Sequence, residues 1–195
     1  NIHQVKNALH ICFFYKANLL IPNHKYFIST YIKLFNECDE KEIMCDESKK
    51  GQNFFHAYYT LIDKNIFKIN HLNVLNVLKK LFLLKISNCV TLNNVLTIHI
   101  RSGDIFINPH PKYIPPPIIY YKTIINTYKY DKIILLSEDM KNPVIKNLLE
   151  KYKNCYYKKK TLEEDIDIIL KSKNVVASIG SFISQLLLLS NNIEN

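Results

Sequence analysis

Tryptophan is absent from this chain of 195 residues, glycine occurs three times and arginine once. The chain has no low-complexity linker, and so little glycine points to special backbone positions for the few that are present. A lone arginine, Arg101, argues against base readout and against multiple clamps on a nucleic-acid backbone, both of which draw on guanidinium groups. The formal charge of +9 comes from lysines spread along the chain, which describes a solvated basic surface, so no nucleic-acid partner is expected. The cysteines Cys12, Cys38, Cys45, Cys89 and Cys155 are odd in number and form no C-x-x-C pair. That argues against a zinc ribbon and a dense disulfide framework. No uninterrupted apolar run reaches the ~18 residues that span a bilayer, Ile183 to Ser190 being too short, so no membrane segment is expected in this chain. The chain opens on Asn1 inside a helical pattern, which points to a piece of a longer or processed protein, and no targeting segment assigns it a compartment.

What remains is 48% hydrophobic, enough to build a core. Val5 to Tyr15 reads as a helix leading into a short strand, Asn18 to Pro22. The acid- and lysine-rich stretch from Phe35 to Gln52 offers little to a core and reads as a surface excursion. Leu72, Leu75, Leu78, Leu81 and Phe82 fall at three- and four-residue spacing and predict an amphipathic helix. From Val95 onward strands and helices alternate: strand 95–100 and a helix near 117–128, strand 132–137 and helix 143–152, strand 155–158 and helix 161–171. A last strand, 174–178, turns at Ile179-Gly180 into a final helix. This alternation predicts a parallel sheet wound by right-handed crossovers, hence an α/β fold with a Rossmann-like second half. A boundary near residue 90 divides the chain into a smaller α/β domain, 1–90, and that second half, 91–195.

The chemistry gathers at Leu96-Thr97-Ile98-His99-Ile100-Arg101-Ser102-Gly103-Asp104, where an apolar strand ends in His, Arg, Gly and Asp. Ligands of open parallel sheets lie beyond the carboxyl ends of the strands, and a fixed cation with an imidazole there suits a phosphorylated ligand. The rival role for Arg101 is a structural pair with Asp104, and for His99 a satisfied interior side chain. Ser137-Glu138-Asp139 and Ser178-Ile179-Gly180-Ser181 end on the same edge. The amides of Gly180, Ser181 and Phe182 at a helix start would form a phosphate cradle or an ordinary cap. Asn108 to Pro117 is too proline-rich for regular structure and reads as a stiff wall over the site, with Pro117 opening the next helix.

His99-Ile100-Arg101-Ser102-Gly103-Asp104 resembles the H-x-R-x-G-D motif of the fucosyltransferase-like superfamily, which includes the α-1,2-fucosyltransferases and, more distantly, the protein O-fucosyltransferases. Leu135 to Met140 is similar to that superfamily's second strand. The run from Glu164 through Ser184 resembles its acidic helix and S-S-F-S turn. The resemblance covers the last hundred residues and departs at Gly180, where relatives have Ser, at Glu138 for Asp, and at Ser102 for a second basic residue. It implies a GT-B arrangement in which 1–90 is a truncated acceptor-side domain and 91–195 binds the nucleotide sugar. The implied activity is an inverting, metal-independent glycosyltransferase moving fucose from GDP-fucose to a glycan or protein hydroxyl, with no cofactor beyond the donor. Arg101 would then be the catalytic cation, and His99, Arg101, Ser102, Asp104, Asp165, Gly180, Ser181 and Phe182 would bind the donor. Asp165 would read the base, with Asp167 as its rival, and Asn1 or Gln4 would face the acceptor. The alternative is a GDP-sugar-binding protein without turnover.

Overall fold

The computed structural model describes residues 2–21, 27–36, 70–82, 91–109, 111 and 113–194. The chain divides into two compact units, Asn1–Ser87 and Asn88–Asn195. In the first, helix α1 (Ile2–Tyr15) packs against helix α2 (His71–Phe82). Leu9, Ala8 and Cys12 of α1, with Val74 and Leu78 of α2, are buried there. The strand expected at 18–22 is shorter: β1 (Leu19–Leu20) pairs antiparallel with β2 (Tyr31–Ile32), a partner that sequence patterning did not supply. The Asn18 carboxamide braces this pair, its Oδ1 accepting from the Leu34 and Phe35 amides at 2.7 and 3.0 Å. Nearly all of the 35–52 excursion lies outside the described residues.

The second unit is a four-stranded sheet in the order β5-β4-β3-β6, parallel throughout. Its strands are β3 (Leu92–His99), β4 (Lys132–Leu136), β5 (Cys155–Tyr157) and β6 (Ser172–Val176). Between them run helices α3 (Asp104–Ile107), α4 (Ile118–Thr127), α5 (Pro143–Lys151) and α6 (Leu162–Lys171), and α7 (Ser181–Leu189) follows β6. β3 lies between β4 and β6, so side chains on both of its faces must be buried. Leu96, Ile98 and Ile100 point to one face and join Ile133 and Leu135 of β4 beneath Tyr121 and Ile125 of α4 and Ile145 and Leu148 of α5. Thr97 and His99 alternate to the other face. There the Thr97 hydroxyl meets that of Ser172 at 2.7 Å, and His99 meets Phe182 of α7. With α6 lying against β3, β6 and α7, helices cover both faces of the sheet. The expected parallel α/β architecture is present and Rossmann-like in general form.

Local chemistry places the helix starts. Asn142 caps α5 by accepting from the Val144 amide at 3.0 Å, with Pro143 at the first helical position where its missing N–H costs nothing. Thr161 and Glu164 form a reciprocal capping box on α6, whose first turn also carries Glu163 and Asp165, favourable at the positive end of the helix dipole. Pro117 stands immediately before α4 in extended backbone. β6 begins two residues earlier than the apolar run 174–178 suggests, because Ser172 pairs with β3 and Lys173-Asn174 carry the strand forward despite their polarity.

Candidate functional site at the sheet switch point

Strand order runs outward from β3 to β4 and β5, then reverses across the sheet to β6, so the connections leave β3 and β6 in opposite directions. That divergence opens a crevice beyond their carboxyl ends, the place where such sheets bind ligands. A cavity of about 370 Å³ occupies it. β3 and its exit contribute His99, Arg101 and Asp104, the chain beyond contributes Ile105, Asn108 and Tyr113, and the β6–α7 turn contributes Ile179, Gly180, Ser181 and Phe182.

His99 is 8% exposed, and its ring lies 5.8 Å from that of Phe182, centroid to centroid. Burial, reinforced by the Arg101 charge, lowers its pKa to about 4, so it is neutral at physiological pH. Its Nδ1 has no hydrogen-bond partner among the described residues. A buried, orphaned ring nitrogen costs free energy unless a ligand or water meets it, and the residue that carries it is part of the cavity lining.

Opposite stands the start of α7. Gly180 holds φ 115°, ψ 156°, a conformation essentially reserved for glycine, and no side chain caps this helix. Its first amides therefore remain available to an acceptor, at the positive end of a nine-residue helix. The departure from Ser at position 180 thus has a backbone reason: this turn is built in a shape that a serine would strain.

Arg101, the cation expected to meet phosphate, is engaged. Its Nη2 donates to both carboxylate oxygens of Asp104 at 2.6 Å, and its Nη1 lies 3.7 Å from Glu138 Oε1. The structural pair and the ligand-facing position therefore coexist. Asp104 is 65% exposed, and so open an ion pair stabilises by only about 0–1 kcal/mol.

Ser102 lies elsewhere than the donor-binding expectation implies. It is fully buried, does not line the cavity, and donates to Asp139, which also accepts from the Gly103 and Lys141 amides at 3.3 and 3.0 Å. The Ser102 bond, foremost among these, holds the Asp139 carboxyl below the usual carboxylate range. Asn142 completes the strut: its amide donates to Ser102 Oγ at 3.0 Å and its Nδ2 to the Arg101 carbonyl at 2.9 Å. Sequence reasoning missed Asn142 as a site residue, although Asn-Pro ahead of an apolar-periodic run signals a helix cap. Asp165 also lies away from the cavity lining; burial raises its pKa, and its charge acts on Tyr157 of β5. Its rival Asp167 pairs with Lys171 one turn along α6. Asn1 and the Gln4 side chain lie outside the described residues.

Among the described residues no group of three or more His, Cys, Asp or Glu side chains could hold a metal ion, and no helix is long and apolar enough to cross a membrane. Fold and site together define an α/β protein with a crevice at its topological switch point. Comparison with known protein families, curated proteins and solved structures found no match to this chain.

Proposed function

We propose that this crevice binds the diphosphate of a nucleotide sugar and that the protein is a metal-independent inverting glycosyltransferase, with GDP-fucose the donor suggested by the resemblance of the His99–Asp104 motif. The observation that carries the reading is one cavity whose lining combines His99, with its buried, unpartnered Nδ1, the uncapped start of α7, and Arg101. In glycosyl transfer the diphosphate gathers charge as the sugar becomes oxocarbenium-like. A guanidinium and helix amides aimed at it stabilise the transition state more than the ground state. Arg101 would be the catalytic cation, and neutral His99 would contribute one hydrogen bond to a phosphate or ribose oxygen. Gly180, Ser181 and Phe182 would supply amides, and Asp104 would serve as the placeholder that the donor displaces.

Calorimetric titration with GDP, UDP, ADP and GDP-fucose in EDTA tests this. Selective GDP binding that Arg101→Ala weakens by roughly tenfold or more is expected, from the loss of a charge-assisted contact. Absence of nucleotide binding overturns the reading. A second reading, a nucleotide-sugar-binding protein without turnover, draws on the hold that Asp104 and Glu138 keep on Arg101. It predicts GDP-fucose binding with neither transfer to added glycan or protein acceptors nor hydrolysis.

A further inference from the structure

A second cavity, of about 460 Å³, adjoins the first and shares two residues with it, Ile105 and Tyr113. Phe106 and Ile114 extend its lining, and the prolines Pro109, Pro111 and Pro115 also line it. Among the described residues the only polar side-chain group on this lining is the Tyr113 hydroxyl. The described lining offers little to replace the water around sugar hydroxyls or the edges of a nucleobase, and a polar group moved from water without new hydrogen bonds is penalised. A hydrocarbon or aryl group carries no such penalty and gains from leaving water.

The groove is open: Phe106 is 41% and Ile114 75% exposed, with Ile107 beside them at 62%. Exposed apolar residues gathered along one groove are a common feature of ligand sites. Proline rings fix three of its backbone positions in advance, so little conformational freedom is lost when a ligand settles there.

We infer that this groove seats an apolar aglycone: the acceptor hydroxyl is carried by a molecule bearing a hydrocarbon or aryl group, and Tyr113 divides that group from the diphosphate crevice. The inference rests on the glycosyltransferase reading for the word acceptor, and on the shared wall for the position. A bare oligosaccharide would leave the groove empty and gain nothing from it.

Binding rather than turnover tests it, on the full chain, with octyl β-galactoside below its micelle concentration against methyl β-galactoside, each with and without GDP. The octyl compound is expected to bind measurably and the methyl compound not. Phe106→Ser and Ile114→Ser, both at exposed positions, are each expected to weaken octyl binding roughly tenfold, as loss of buried apolar contact implies, and to leave GDP affinity unchanged. Equal affinity for the two galactosides, or octyl binding indifferent to both substitutions, overturns the inference even where GDP binds. Octyl binding that responds to both substitutions in a protein that binds no nucleotide sustains the groove's ligand class and overturns the nucleotide-sugar reading instead.

Discussion

At the scale of single residues, two glycines bound the site and differ in what holds them. A Cβ on Gly180 would meet nothing within 4 Å, so its φ of 115° is the whole obstacle. Gly180→Ala is expected to cost on the order of 1–3 kcal/mol in urea denaturation, from backbone strain alone. Gly103, at φ 62°, also faces the Glu138 carboxyl group, into which a Cβ would run. Glu138 is half exposed and can swing away, so Gly103→Ala is expected to release Arg101 from Glu138 as well as strain the turn. Glu138→Ala removes the obstruction, and the double variant should then be less destabilised than the sum of the two singles. His99 gives a third test. Its folded pKa, about 4, lies below the ordinary 6.5, so between those values the unfolded chain binds a proton that the folded one refuses. Stability is therefore expected to fall as pH drops from 6.5 toward 4, by on the order of 3 kcal/mol from this group. A His99→Asn variant should show a flatter denaturation profile across that window, and an unchanged slope would contradict the buried neutral assignment.

At the scale of elements, the loop that carries Arg101 is held by the start of α5, the third helix after it. Asn142 uses its carboxamide twice, capping α5 and gripping the Arg101 carbonyl, and its own amide binds Ser102. Asn142→Ala is expected to cost about 1–2 kcal/mol for the cap alone and to weaken GDP binding through the loosened Arg101 loop. Thr161→Ala breaks the capping box of α6 at a similar cost in stability and should leave GDP affinity unchanged, since Thr161 does not line the crevice. Equal losses of affinity in the two variants would mean that general destabilisation, not the tether, governs the site. Strand β3 shows how one period divides labour. Its even-numbered residues from Leu96 build the core, and its odd-numbered ones deliver Thr97 to β6 and His99 to the ligand side.

At the scale of the whole molecule, the second unit contains its sheet and the helices covering both faces, so residues 88–195 produced alone are expected to unfold cooperatively. A gradual, non-cooperative melt by circular dichroism would show that the first unit is required. The order of elements in this unit was legible in the sequence because amphipathic helices and apolar strands carry their periods locally, and Asn142-Pro143 and Thr161 mark helix starts chemically. The short pairing of β1 with β2 was not legible, since two-residue strands have no period to read. Nor was the early start of β6, where pairing with β3 overrides the polarity of Ser172-Lys173-Asn174. Within the candidate site, His99, Arg101, Asp104 and the Gly180 turn were found because strand ends announce themselves by a change from apolar to polar residues. Ser102 and Asp165 were assigned to the ligand but lie away from the cavity, because which way a side chain turns at a loop depends on what the neighbouring strand offers it. The sequence by itself determined the alternation, the parallel α/β class and the edge on which chemistry gathers, since these follow from local periodicity and connection rules. Only the tertiary structure decided that β6 crosses to the far side of β3, that Arg101 is held between two carboxylates and that an apolar groove adjoins the crevice. Each of these depends on contacts between residues distant in the chain, which no local pattern encodes.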